Sequence, residues 1–137
     1  MSDGNSRRLA NFKAGVHATL DISVLEMTPE RVVLSLPVGP AVHQPFGILH
    51  GGVSALLAES AASMGGALNV GDDKAVVGIE LNASHLRPLT EGDLIATATP
   101  VRVGRTVQVW NVDLHEQDGR QICAARCTLS VIDRPTT

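Results

Sequence analysis

The sequence predicts an α+β domain in which a long antiparallel sheet wraps one central helix. Val53, Leu56, Leu57, Ser60, Ala61, Met64, Ala67 and Leu68 recur at the three-and-four spacing of a helix with one apolar stripe. Runs with β-type patterning flank it, two before and the rest after. Aromatic residues are scarce (Phe12, Phe46 and Trp110, with no tyrosine), so Val, Leu, Ile and Ala must fill the core. Those side chains suit long strands on a slim helix. At 137 residues the chain is expected to be one domain, large enough to hide roughly two-thirds of its unfolded surface.

Residues 1–8 are polar and expected to fray. Leu9–Val16 fits a short helix cut off by Gly15, and His17–Met27 fits a strand with Leu20, Ile22 and Val24 on one side. Thr28-Pro29-Glu30 turns into a second strand, Arg31–Val38, in which Val32, Leu34, Leu36 and Val38 share one parity. Pro37, Gly39, Pro40 and Pro45 then break the chain into a loop that carries His43, Gln44 and Phe46. The helix runs from near His50 to Asn69–Gly71. Lys74–Leu86 is the next expected strand, turned by Pro88 and Glu91-Gly92-Asp93. Leu94–Val103 follows, with Pro100 marking a bulge or an edge. In Thr106–Glu116 the apolar parity switches between Val109 and Trp110, which predicts another bulge. Asp118-Gly119 is a strong hairpin signal leading into Gln121–Ile132. The four later strands are expected in hairpin succession.

A net charge of −3 without a basic run argues against a nucleic-acid partner. Cys123 and Cys127 fall on one face of an expected strand, about 13 Å apart when extended, too far for a bridge. They read as reduced core thiols of a cytoplasmic protein. Ser6-Arg7-Arg8 has the look of an export signal, but Lys13, His17 and Asp21 interrupt any apolar segment after it. No run approaches the ~18 apolar residues of a membrane span. His17, His43 and His115 lack metal-ligand spacing, so no metal is expected. Phosphate-loop, dinucleotide and Gly-x-Ser-x-Gly patterns are also missing, which argues against a cofactor and against a serine α/β-hydrolase.

From Gly51 to Gly71 the only charged residue is Glu59. Its neighbours on the second helix face, Ala55, Ala62, Ser63 and Gly66, are small, so the helix is expected to be covered on most sides. No Lys or Arg stands at i±3 or i±4, and an unpaired buried carboxylate is costly. A structural ion pair with Arg87 or Arg126 is one explanation. A reactive carboxylate is the other.

Gln44-Pro-Phe-Gly-Ile-Leu-His50-Gly51-Gly52, with His50 nine residues before Glu59 and thirteen before Ser63, resembles the hotdog-fold acyl-CoA thioesterases. Within them it is similar to the branch acting on 4-hydroxybenzoyl-CoA, 1,4-dihydroxy-2-naphthoyl-CoA and related aryl thioesters. The likeness extends from Glu26-Met-Thr-Pro-Glu-Arg31 through Asn82-Ala-Ser-His85 and Val109-Trp110 to the last strand. It implies a homodimer joined edge to edge, usually doubled into a homotetramer, with each active site at the dimer interface. It further implies that Glu59 of one subunit faces Gln44, His50 and Gly51 of its neighbour. Met64, Phe46 and His85 would contact the substrate, and Arg87, Arg105 and Thr106 would meet the CoA.

Those residue types suit thioester hydrolysis, which needs an oxyanion stabilised and an oxygen nucleophile delivered. A helix beginning at Gly51 offers unpaired N–H groups and the positive end of its dipole to a carbonyl oxygen. Glu59 can act as nucleophile or as general base for water. Ser63 can hold a water or orient the carboxylate, while Gln44 and His50 position the thioester. Two rivals remain open: a housekeeping thioesterase for medium-chain or branched acyl-CoA, and a non-catalytic acyl-CoA-binding module.

Overall fold

A computed structural model describes residues 13–135. Its elements are α1 (Gly15–Thr19), β1 (Ser23–Thr28), β2 (Arg31–Val38), α2 (Gly51–Ala67), β3 (Lys74–His85), β4 (Gly92–Val103), β5 (Val107–His115) and β6 (Gln121–Asp133), with a 3₁₀ turn at Pro40–Val42. The strands form one antiparallel sheet in the order β1-β2-β4-β5-β6-β3, wrapped on α2. That is the hotdog arrangement the motif implied.

The N-terminal boundaries differ from expectation. Residues 9–12 of the expected Leu9–Val16 helix lie outside the described residues. Gly15 opens a helix instead of ending one, with φ +62, and the strand starts only at Ser23. Leu20 N–H donates to Val16 O at 2.9 Å, closing a helical turn where the alternation had suggested strand.

The later strands are not in hairpin succession. β3 pairs with β6 along its length while β4 pairs with β2, so the 86–91 connection links strands at different places in the sheet. The turn residues Pro88 and Gly92 were real signals, but a turn does not say which strand follows beside which. β4–β5 and β5–β6 are true hairpins, the latter closed by Gly119 N–H to Glu116 O at 3.0 Å. This placement leaves β3 as an edge strand twelve residues long, with Val77 and Ile79 exposed.

The expected bulge at Pro100 is present, between Pro100 and Arg102. The one expected within β5 is not. Gln108, Trp110, Val112 and Leu114 alternate inward without a break, and the extra residue belongs to β4 opposite Val109 and Trp110. A polar residue in a core position disguised the parity. Gln108 is fully buried, receives the Trp110 Nε1–H at 2.9 Å and donates to Gly66 O at 3.2 Å. Its amide is therefore satisfied inside the core.

The buried face of α2 is also not the stripe the spacing suggested. Ser54, Leu57, Ala58, Ala61, Ala62, Met64, Gly65 and Gly66 are buried, while Val53, Leu56, Ser60, Ala67 and Leu68 are only partly covered. The reason is clearance. A Cβ at position 65 would stand 2.5 Å from Trp110 Cη2, so the small residues let the helix settle on the indole. Cys123 and Cys127 are free and buried. Burial, helped by the Glu59 and Glu80 charges, pushes the Cys127 thiol up to about 11.

Candidate active site

The loop before α2 is built to hold its first turn. Gln44 N–H donates to Ile48 O at 2.8 Å and Gly47, at φ +79, donates back to Gln44 O at 2.9 Å. The Gln44 side-chain oxygen accepts from Phe46 N–H. Leu49 N–H then donates to Leu89 O at 2.8 Å and His50 N–H to Val42 O at 2.9 Å, so the turn enters the helix held on both sides. His50 is the N-cap. Its Nδ1 accepts from Gly52 N–H at 2.8 Å, which places the proton of a neutral ring on Nε2. Gly51 occupies the first helical position, where an N–H has no intrahelical acceptor. The His85 ring packs directly on it: a Cβ at 51 would lie 2.8 Å from His85 Nε2.

Two turns on, Glu59 lies on the open side of α2 and is exposed. This corrects the expectation of a helix covered on most sides: the sheet is a single layer and reaches round only one face. Neither candidate arginine pairs with Glu59. Arg126 Nε donates to Asn111 Oδ1 at 3.1 Å and Arg87 Nη1 to Gln121 O at 3.1 Å. The carboxyl rests on β3 at Gly78, where a Cβ would stand 3.1 Å from its carbon. Beside it opens a cavity of about 640 Å³ whose walls include Leu56, Ser63, Met64 and Leu81.

A second cavity, of about 460 Å³, is bounded by Gln44, Gly51, His85 and Arg87 among others. One chain thus gathers Glu59, Ser63 and Met64 at one place and Gln44, Gly51, His85 and Arg87 at another. Phe46 stands 90% exposed at the loop tip, away from both. Arg105 and Thr106 sit exposed in the β4–β5 turn and line neither. Among the described residues, no helix is long and apolar enough to cross a membrane, and no three His, Cys, Asp or Glu side chains gather as a metal would need.

Sequence reasoning passed over two features of this region. Gly78 interrupts a strand of Val and Ile, a pattern that marks bulges and close approaches, and β3 shifts register between Gly78 and Glu80. His17 was one of three scattered histidines, yet it lines the larger cavity and its Nε2 lies 2.9 Å from Ser60 Oγ. Only the folded chain brings positions 17 and 60 together.

A six-stranded sheet wrapped on one long helix is the hotdog fold, and here that helix carries a carboxylate over a largely apolar cavity. Comparison with known proteins agrees. The sequence profile of the thioesterase superfamily matches residues 46–123, and the chain belongs to that family. It is 40% identical over 117 residues to the 1,4-dihydroxy-2-naphthoyl-CoA hydrolase of Listeria monocytogenes, covering 85% of this chain and 95% of that protein. Among solved structures it resembles a thioesterase from Haemophilus influenzae, with TM-score 0.87 and 38% identity over 91% of this chain and 87% of that one. A mutant thioesterase from Pseudomonas aeruginosa gives TM-score 0.89 and 38% identity, covering 94% of each chain.

Proposed function

We propose that this thioester hydrolase acts on aryl- or closely related acyl-CoA esters, releasing the free acid and CoA at a site shared by two protomers of a homodimer. The observation that carries the shared site is the separation of its parts. Glu59 opens to one cavity and Gly51 with Gln44 to another, and β3 borders both, through Gly78 and Leu81 at the first and His85 at the second. The outer edge of β3 carries no strand partner among the described residues, and a long unprotected edge is a template for pairing. Edge-to-edge pairing about a two-fold axis would bring Glu59 of one protomer towards Gln44, His50 and Gly51 of its partner. Two such dimers would make the tetramer.

In this reading the Gly51 N–H and the helix dipole polarise the thioester carbonyl. Glu59 either attacks the carbonyl carbon, expelling the CoA thiolate and leaving a mixed anhydride that water then hydrolyses to the free acid, or takes a proton from the attacking water and passes it to the thiolate as the C–S bond breaks. Ser63, one turn along, holds the water or the carboxylate, and Gln44 and His50 fix the ester. Met64, Phe46 and His85 meet the acyl and pantetheine portions, and Arg87, Arg105 and Thr106 the nucleotide. Similarity to a 1,4-dihydroxy-2-naphthoyl-CoA hydrolase supports an aryl acyl group.

Mixing Glu59→Ala and His50→Ala proteins tests the shared site. Each alone is expected to be nearly inactive, and subunit exchange should restore turnover by assembling one intact site per hybrid dimer. Verified exchange without recovery would place the site within one chain. A panel of benzoyl-, phenylacetyl-, naphthoyl- and straight-chain CoA esters, read by released thiol, tests the acyl class; faster turnover of straight chains would reject the aryl assignment.

A further inference from the structure

The cavity beside Glu59 has largely apolar walls, with Val16, Ala55, Leu56, Met64, Ala67 and Leu81 supplying hydrocarbon. Apart from Glu59 and Ser63, its polar side chains are His17 and Ser60, which hydrogen-bond each other at 2.9 Å. Ser60 follows Glu59 by one residue, about 100° round the helix, in the row that runs Leu56, Ser60, Ser63, Ala67. His17 reaches it from α1, an element separate from the loop and helix that carry the proposed chemistry. Burial lowers the His17 pKa from the ordinary histidine value, which favours the neutral ring. If Nε2 accepts the serine proton, Ser60 Oγ keeps both lone pairs. If Nε2 donates, Oγ keeps one lone pair and its own proton. Either tautomer leaves an oxygen able to accept from a ligand hydroxyl. Covering that oxygen with plain hydrocarbon would remove water from it and return nothing.

We infer that His17 and Ser60 form a specificity-determining pair that selects acyl groups bearing a hydroxyl substituent over the same group without one. The inference rests on the aryl-CoA reading above and adds to it a recognition point distinct from Gln44, His50, Gly51, Glu59 and Ser63. It also gives α1 a function: the segment carries the histidine that closes this end of the acyl cavity.

The test compares kcat/KM for benzoyl-CoA and for the 2-, 3- and 4-hydroxybenzoyl-CoA esters in wild type, Ser60→Ala and His17→Leu. Wild type should favour at least one hydroxylated isomer over benzoyl-CoA by about 3- to 10-fold, the worth of one neutral hydrogen bond. Ser60→Ala should bring that ratio to about one while the benzoyl-CoA rate holds or rises, and His17→Leu, which frees the Ser60 hydroxyl to turn away, should lower it. Equal wild-type rates for all four esters would end the pair's role and leave the hydrolase reading intact, as would a preference that survives both substitutions. A uniform loss across the four esters would show a structural contact only, again against the pair. Turnover confined to straight-chain esters would reject the aryl reading and the pair together. Glu59→Ala, measured on the same esters, separates the two claims, because full activity there would overturn the mechanism whatever the ratios show.

Discussion

The two long faces of α2 are both poor in large side chains, for opposite reasons. On the sheet side, Ala58, Ala61, Gly65 and Gly66 are buried, and Trp110, Leu129 and Gln108 leave no room for a Cβ at either glycine. On the open side, Gly52, Ala55, Ser60, Ser63 and Ala67 are small where the wall of a cavity runs beside Glu59. One face uses small residues to exclude space and the other to leave it. The same composition therefore supports packing on one side and ligand room on the other, and substitutions on the two faces should fail differently.

Glu59→Ala is the largest expected effect, a loss of roughly 10²- to 10⁴-fold in kcat, with the melting temperature unchanged because the carboxylate is exposed and makes no ion pair among the described residues. Steady-state kinetics beside a thermal melt checks both halves. Next comes the pair Gly51→Pro and Gly51→Ala. Both add the Cβ that meets His85, so their difference isolates the N–H. Proline suits the first helical position, and His50 at φ −69, ψ 130 already has a backbone compatible with a following proline. The proline variant should fall a further ~10²- to 10³-fold in kcat, the cost of one oxyanion donor; equal rates would remove Gly51 from that role.

Gly65→Ala, on the opposite face, should leave the kinetics of the folded protein alone and cost about 1–3 kcal/mol of stability by overpacking against Trp110. Denaturant unfolding measures it, and a kinetic defect at full stability would blur the distinction between the faces. The smallest effect is expected for Gly78→Ala. The added methyl would press the Glu59 carboxyl aside by a few tenths of an ångström, lowering kcat by about 3- to 10-fold with little change in melting temperature.

Much of this architecture was legible. The helix showed itself through its period and its single charge, β2 through strict alternation, and the β5–β6 hairpin through Asp118-Gly119. Local chemistry governs each of these, so local pattern reports them. Gln108 was not legible, because a buried amide paired with Trp110 and Gly66 reads as a surface residue until its partners are known. The N-terminal segment misled for a related reason: Leu20 and Ile22 alternate like a strand, but the positive φ at Asp21 between them, and at Gly15 earlier, keeps this stretch out of the sheet. Around the candidate site, Glu59 and Ser63 share a cavity as residues one turn apart on a helix must. His17 with Ser60, and Glu59 with Gly78, are neighbours in space alone.

By itself the sequence determined most of the helix and strand segments beyond Ser23 and that the long helix carries a solitary carboxylate, since backbone period and residue chemistry act over a few positions. Tertiary structure alone decided which helix face meets the sheet, that β3 lies at an edge, and that Glu59 and Gly51 open to separate cavities. Those outcomes depend on clearances and pairings between residues tens of positions apart, which no local pattern encodes.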